Sequence, residues 1–572
     1  MRPGTLALRT VNQYRTRDIM TYLGLRYYFA NQCARRDLWA TEVASRLVLT
    51  RTQPGYFQSL HFKDRLQTGD VSYRDIFLPG ANESYAEAAL LAECEKHVAF
   101  KAHEFVFSYR LATADDTQGV YKPYFSGLQE RHKKIAAACR SDSNFVVRYT
   151  DIKRFYPSIS TESARAAWIK ACNESKLPRR FYDLGLKILT DHAATSDKYS
   201  HGKGLLTGPM FSHLVANLVL RDVDEKMSAS FPGRYFRYVD DVVLVGTSAQ
   251  VMEGRELLRN CLGNLNLELH PPGNGKDFEI DASAWLVGEK DFEDSTSHDW
   301  MTFSRNLKQC LVFQASSMHT LSSMLSAEGF RIPLPDYSVA VSDARYQQRL
   351  TDSIHRHPWL LKTIFKQTTP ENLLLAARSL RREYTEQLNL LFEAGAEISG
   401  YERKRVIPKI RYLAGRLLYL ETPEDLNQLS IRLQDYSELH VLAEIMRSLV
   451  SRDVTRLLSL GSNSVQVATQ ALKIDGSELK CNVESWGAAQ LQGLAILRAH
   501  GLAVSGPIDD ELNRFALWQE GHSLMVSENV SIQEIACLHG VTTSPRHKSM
   551  LDTAFDRGEQ LAFDAATPVE TY

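Results

Sequence analysis

A chain of 572 residues with 44% hydrophobic and 24% charged residues is long enough for more than one core, and it holds no run of about 18 apolar residues that could span a membrane. Net charge is −1 but uneven: residues 1–250 carry 35 Lys+Arg against 26 Asp+Glu, and residues 251–300 carry 4 against 11, so the first part suits an anionic partner while the whole chain is no general polyanion binder. The eight cysteines form no CxxC pair, which argues against zinc and for reduced thiols in a cytoplasmic protein, and the basic N-terminus lacks the apolar core of a signal peptide.

Up to about residue 300 the chain mixes β-like runs with helices, separated by Gly- and Pro-containing turns. "FVVRYTDI" (145–152) reads as a strand that carries Asp151 to its C-terminal end, a place that suits a ligand and equally an ordinary turn. Past Phe155, Tyr156 and Pro157, "STESARAAWIKAC" (160–172) reads as a helix capped by Ser160. "KGLLTGPMFSHLVANLVLRDVD" (203–224) reads as a loop eased by Gly204 and Gly208 that enters a helix at Pro209. Such a junction suits a nucleotide or a template backbone, and an ordinary loop–helix join would look the same.

"RYFRYV" (234–239) and "VVLVG" (242–246) read as a tight hairpin with Asp240 and Asp241 at its tip. Their apolar flanks imply burial in a sheet. Buried like charges a few ångströms apart repel unless a cation neutralises them, and Mg²⁺ takes carboxylates together with substrate phosphates. If the Asp151 strand lies beside this hairpin, three carboxylates converge, as two Mg²⁺ ions in phosphoryl transfer require. "LHPPGNGKD" (269–277) is rich in turn residues, and "AWLVG" (284–288) reads as a further β-like run.

Beyond about residue 355 the strand signal fades. Amphipathic helices are expected at 369–395, 401–420 with an interruption at Pro408, 423–436, 437–451, 452–461, 463–474, 486–501 and 509–521. Short helices in series suggest an α-solenoid of helix pairs; the absence of a strict repeat leaves an irregular bundle as the alternative.

"YTDIKRFYPSI", "GLLTGPMFS" and "YVDD" resemble, in order and spacing, the palm motifs A, B and C of reverse transcriptases, the tetrad Tyr238-Val239-Asp240-Asp241 being the most specific. "HEFVFSYRLAT" (103–113) resembles the fingers segment whose arginine contacts the incoming triphosphate, here Arg110, with Lys101 assisting. Residues 265–280 resemble motif D, with Lys276 as its lysine, and 283–288 resemble the primer-grip turn that follows. Many members carry PQG where this chain has Leu206-Thr207-Gly208, which removes an amide from near the template base. Motif B is closer to the prokaryotic reverse transcriptases of abortive infection and phage defence, which also place a long helical segment after the polymerase part.

The resemblance implies an α+β chain: right-hand polymerase fingers and palm over 1–300, a connector or thumb-like segment over 301–355, and a HEAT-like helical-repeat domain over 356–572. It implies an RNA-directed DNA polymerase, a nucleotidyltransferase that uses two Mg²⁺ ions, or Mn²⁺ in their place. Asp151, Asp240 and Asp241 would be the catalytic metal ligands, joined by the Ile152 carbonyl. Lys101, Arg110, Ile152, Phe155, Tyr156, Gly208 and Pro209 would form the nucleotide site, with the Tyr156 ring filling the space of a 2′-hydroxyl. The implied partners are dNTPs and a single-stranded DNA product. In protein-primed members that product is attached to a hydroxyl of the protein, for which 24 tyrosines are available here. A homo-oligomer is expected and a membrane is not. The alternatives are an ordinary reverse transcriptase copying an RNA template, and a non-catalytic polymerase-like scaffold that binds a phage or host protein.

Overall fold

The computed structural model describes residues 44–508, apart from a few short internal stretches, and isolated positions between Leu6 and Tyr14. The described chain is a mixed α+β structure, mostly helical, with small sheets. After a helical segment at 44–50 comes an antiparallel hairpin of β1 (Tyr56–Arg65) and β2 (Val71–Pro79). Then come α1 (Ala81–Cys94) and α2 (Tyr124–Cys139), the strand β3 (Val146–Asp151), and a single turn α3 (Phe155–Ser158). The helices α4 (Thr161–Ser175), α5 (Arg179–Lys198), α6 (Met210–Val219) and α7 (Arg221–Ser230) lead into β4 (Tyr235–Tyr238) and β5 (Asp241–Gly246). After α8 (Ser248–Gly263), the strand β6 (Phe278–Asp281) completes a four-stranded antiparallel sheet in the order β4-β5-β3-β6.

Alternation along these strands sorts the side chains into two cores. Val242 and Leu244 of β5 join the large core, on the side where α8 packs. Val243 and Val245, with Val147 and Tyr149 of β3 and Phe236 and Tyr238 of β4, join a smaller core closed by Ile135 and Cys139 of α2. A strand covered on both faces needs an unbroken apolar run, which is why "VVLV" lacks the usual polar alternation.

The Ser160 cap is present: its Oγ accepts from the Ser163 N–H at 3.1 Å. Pro209 stands at the N-cap of α6, and Phe211, Leu214, Val215 and Val219 are buried along it. The segment "AWLVG" is not a strand; it lies in the helix α9 (Ala282–Glu289). Ala282 and Trp285, one helical turn apart, are buried in the smaller core, where His132 of α2 stacks on Trp285 at 5.4 Å. The strand is instead the four residues before it, β6.

Helices follow in series: α10 (Thr296–Phe313), α11 (Met318–Ala327), α12 (Leu334–Val341), α13 (Ala344–Arg356), α14 (Leu360–Gln367) and α15 (Pro370–Glu393). Next are α16 (Gly400–Leu417), α17 (Pro423–Leu433), α18 (His440–Ser451), α19 (Thr455–Leu458), α20 (Ser462–Ile474) and α21 (Ala488–Ala499). α15 packs on α16, α17 on α18 and α20 on α21. Pro408 does not interrupt α16. The helix expected over 452–461 shrinks to the single turn α19: Arg452, at φ +58°, ends α18, and the Asp453 carboxylate accepts from the Thr455 N–H at 2.8 Å just before the turn. A short parallel pair, β7 (Leu479–Lys480) with β8 (Val504–Ser505), interrupts the helical series. The helix expected at 509–521 lies outside the described residues.

The helical half grips the first half at two places. Ser462 Oγ meets Ser59 Oγ at 2.6 Å, and Gln492 bridges the backbone of β1 by accepting from the Leu60 N–H at 2.9 Å and donating to the Gln58 carbonyl at 2.8 Å. On the sheet side, Tyr401 of α16 stacks on Trp285 at 5.1 Å. Among the described residues no helix is long and apolar enough to cross a membrane.

Gly208 is where the loop before α6 touches the hairpin. The Phe77 N–H donates to the Thr207 carbonyl at 2.7 Å, Gly208 has φ +123°, and a Cβ there would lie 2.5 Å from the Phe77 carbonyl oxygen. Gly208→Ala is expected to destabilise the protein by about 2 kcal/mol through strain and displacement of β2, seen as a lowered thermal midpoint.

Candidate active site

Register brings the acidic residues together. In the β3–β5 ladder Asp151 stands directly opposite Asp241, and in the β4–β5 hairpin Tyr238 stands opposite Asp241, leaving Val239 and Asp240 as the two-residue turn. The Ile152 N–H donates to the Asp240 carbonyl oxygen at 3.1 Å, which ties the turn to the end of β3. The sequence-predicted Asp151, Ile152, Asp240 and Asp241 therefore share one corner of the sheet.

The turn is strained. Val239 has φ +56°, the left-handed region that a β-branched residue rarely enters. Contacts on both sides hold it there: its N–H donates to Ser108 Oγ at 2.8 Å, and its carbonyl accepts from Arg237 Nη1 at 2.9 Å. Arg237 is itself fixed by a buried bidentate pair with Asp224 of α7, Nε–Oδ1 2.7 Å and Nη2–Oδ2 2.6 Å. Tyr235 donates to the same carboxylate at 2.6 Å, and both Arg237 and Asp224 are 1% exposed.

Asp151 is buried, and Asp240 and Asp241 are half-buried. Burial, then the Asp241 charge, then the Asp151 charge push the half-buried Asp240 carboxyl up to about 7. Burial also raises Asp151, while Lys276 pulls it back; Asp241 raises it and His270 lowers it. Asp151 Oδ2 is 3.4 Å from Lys276 Nζ, and Oδ1 is 3.3 Å from His270 Nε2. Lys276 is set in place by its neighbour Asp277, whose buried carboxylate pairs with Arg148 and with Arg255 Nε at 2.6 Å, and accepts from Thr150 Oγ1 at 3.2 Å.

Two cations approach Asp241 from the side of the smaller core. Burial and the Asp241 charge push the Tyr149 hydroxyl well above its ordinary value, and the Arg131 guanidinium, 6.0 Å from the Tyr149 ring centroid, pulls it back. Arg131 is buried, and its Nε and Nη1 have no hydrogen-bond partner among the described residues. Lys404 of α16 sits 3.5 Å from the centroid of the Tyr149 ring, a cation–π contact. Burial lowers its ammonium, and Asp241 and Asp151 hold it up. Among the described residues no three His, Cys, Asp or Glu side chains converge as they stand to hold a metal ion. Asp151, Asp240 and Asp241 are the residues that could supply carboxylate ligands at this corner.

The other predicted residues are distributed around it. The buried Tyr156 ring donates or accepts through its hydroxyl with His213 Nδ1 of α6 at 2.7 Å, and Tyr109 stacks on His213 at 3.7 Å. Arg110 lines a cavity with Phe107, Tyr109, Lys122, Glu130 and Tyr238. Its guanidinium is engaged by Glu130 at 2.8 Å and by the Val106 and Glu104 carbonyls at 2.7 and 2.9 Å. Phe155 is core, 3% exposed. Gly208 and Pro209 form the β2–α6 junction, where buried Glu87 accepts from the Phe211 N–H at 2.9 Å. Lys101 is not brought to the aspartates; it pairs with Glu95 at 3.8 Å, next to a short turn that packs on α4.

Sequence reasoning missed Tyr149, Arg131, His270 and Lys404. Tyr149 was accessible in principle, because it stands two residues before Asp151 and therefore on the same face. Lys404 left no signal, since one basic residue in an amphipathic helix is normally solvated. No protein-family model matches the chain, and no curated protein matches it.

Two outcomes follow from this geometry. Asp224→Ala strands the buried Arg237 and is expected to lower unfolding free energy by about 3–5 kcal/mol in denaturant titrations. Asp240→Asn acts oppositely. A folded-state pKa raised to about 7 means that the native protein loses stability as pH rises from the unfolded value towards 7. Measured in EDTA, the thermal midpoint of Asp240→Asn should exceed the parent's, and the gain should grow between about pH 4 and 7 and level off above that, worth ~1–2 kcal/mol on the plateau.

Proposed function

We propose that the chain is a divalent-metal-dependent DNA polymerase of the reverse-transcriptase class, acting in defence against phage. The observation that carries the reading is the register of Asp151 with Asp241 beside a turn whose own carboxyl, on Asp240, is pushed up to about 7. Like charges crowded where burial disfavours them, at the end of a strand and the tip of a hairpin, fit a hard divalent cation. Asp151, Asp240 and Asp241, with the Ile152 carbonyl, would hold Mg²⁺ or Mn²⁺. When bound, such ions lower the pKa of an attacking hydroxyl and offset the charge that develops on transferred phosphate.

The chain's own residues would do the rest. The Arg237–Asp224 pair would keep the turn rigid while charge changes above it. The Tyr156 ring, braced by its bond to His213, would limit space at the sugar and so favour deoxynucleotides. Arg110 and Lys122, in the cavity beside Tyr238, are placed to meet a triphosphate once Arg110 exchanges Glu130 for it. Lys276 would serve as a proton donor or charge partner near Asp151. The helical series after residue 300 would act as the HEAT-like part and as the surface for self-association. Protein priming, with the DNA strand attached to a hydroxyl of the protein, is part of the reading; copying of an RNA template is its alternative.

A second reading has an observation in its favour. Lys276, Arg131 and Lys404 already offset the acidic corner from within the protein, as they would in a non-catalytic scaffold that binds a phage or host protein. Asp240→Asn separates the two. Under the polymerase reading it folds normally yet loses about a thousandfold or more of labelled dNTP incorporation in Mg²⁺ or Mn²⁺, and it no longer protects cells. Under the scaffold reading neither the parent nor the variant incorporates nucleotides, and both protect.

A further inference from the structure

The stretch from Ser353 to Pro370 contains Arg356, Lys362 and Lys366, two histidines and no acidic residue. It forms the end of α13, a turn, and α14. Arg356, His357, Trp359, Lys362, Phe365 and Lys366 all have exposed side chains. Trp359 is 65% exposed and Phe365 47% exposed. Among the described residues Trp359 is the most exposed tryptophan, the others being buried or half-buried.

Spacing arranges these residues. Trp359, Lys362 and Lys366 fall at intervals of three and four, on one face of α14, and Phe365 flanks them. His357 stands at the other side of Trp359, ring centroids 6.2 Å apart. The apolar side of the helix is already occupied: Ile364 is 5% exposed, and α14 packs against α10. What remains outward is Trp359 among cations, with Phe365 leaning on Phe313 of α10 at 5.8 Å and still 47% exposed. A membrane surface would call for a free aliphatic stripe, and here that stripe is turned inward.

Rings exposed among cations are the chemistry of single-stranded nucleic acid, whose bases offer free π-faces and whose backbone is anionic. A duplex hides its base faces and would use the cations alone. We propose that this face, centred on Trp359, Lys362 and Lys366, binds single-stranded nucleic acid. The site is separate from the acidic corner in composition and needs neither metal nor nucleotide, so the inference stands whether or not the chain polymerises.

The test is equilibrium binding of the full chain to fluorescently labelled oligo(dT) of about 20 nucleotides, in EDTA and without nucleotides, across a salt series. Trp359→Ala should weaken binding about tenfold, through loss of one stacked base. The double variant Lys362→Glu/Lys366→Glu should weaken it further and reduce the slope of log K against log salt by about 1.4, the value for two single-strand phosphate contacts. Both variants alter exposed side chains and should keep the parent's melting temperature. The proposal is overturned if both variants bind oligo(dT) within about twofold of the parent. It is equally overturned if the substitutions abolish co-sedimentation with phosphatidylserine vesicles while leaving oligo(dT) binding intact, which would make the face a membrane-surface element.

Discussion

The acidic corner depends on one buried ion pair. Arg237 and Asp224 are each 1% exposed, and their two short hydrogen bonds cross from β4 to α7. Taking both charges out of water is unfavourable by itself, and the pair is sustained by saturation: Asp224 also accepts from Tyr235, and Arg237 also donates to the Val239 carbonyl. That last bond matters most. It holds a β-branched residue at φ +56°, which the sequence would not choose locally, and the Ser108 hydroxyl secures the same residue from its N–H side. A relaxed turn would move Asp240 away from Ile152 and Asp241 away from its register partner Asp151. Backbone strain is thus stored where charge is crowded, and the stability that offsets it comes from a pair on the opposite face of the sheet.

Charge on the acidic side is balanced from several directions. Lys276 Nζ approaches Asp151, and the Arg131 and Lys404 charges act with Asp241 from the side of the smaller core. Lys276 also acts on Asp240, yet burial and the two neighbouring carboxylates win, and the Asp240 carboxyl rises to about 7. The imbalance is local and has a direction: the hairpin tip is the place where an added positive charge would gain most. Arg131 adds to this picture, since two of its buried nitrogens lack partners among the described residues.

Much of this was legible in the sequence, and the reason is periodicity. The apolar runs on either side of Asp240-Asp241 predict a buried hairpin, and the structure has one, from Tyr235 to Gly246. Ser160 caps a helix and Pro209 opens one, because those residues satisfy or avoid the free N–H groups of a first turn. The strand ending at Asp151 lies beside the hairpin, as the convergence argument required. Errors arose where a short apolar run fits either period. "AWLVG" has no polar residue to break the tie, and its helical state is decided by Trp285 reaching α2. Distant partners were out of reach altogether. Asp277 looks like any residue of a Gly-rich turn, yet Arg148 and Arg255 converge on it from β3 and α8.

Lys404 shows why the two halves cannot be considered separately. Its ammonium rests on the Tyr149 ring, and Tyr149 stacks on Phe278 of β6 at 5.3 Å, so α16 is seated on the face that bears Asp151 and Asp241. Lys404 is exposed along part of its length, and the Asp241 and Asp151 charges favour its charged form. The dependence is mutual. Whatever adds positive charge at the acidic corner weakens the hold on Lys404, and whatever lifts α16 leaves the corner more negative and more receptive to a cation. Tyr401 on Trp285 fixes where α16 lies, and Gln492 and Ser462 fasten the far end of the helical series to β1. The helical half is therefore joined to the acidic corner electrostatically as well as by packing, through a residue that no local pattern in the sequence distinguishes.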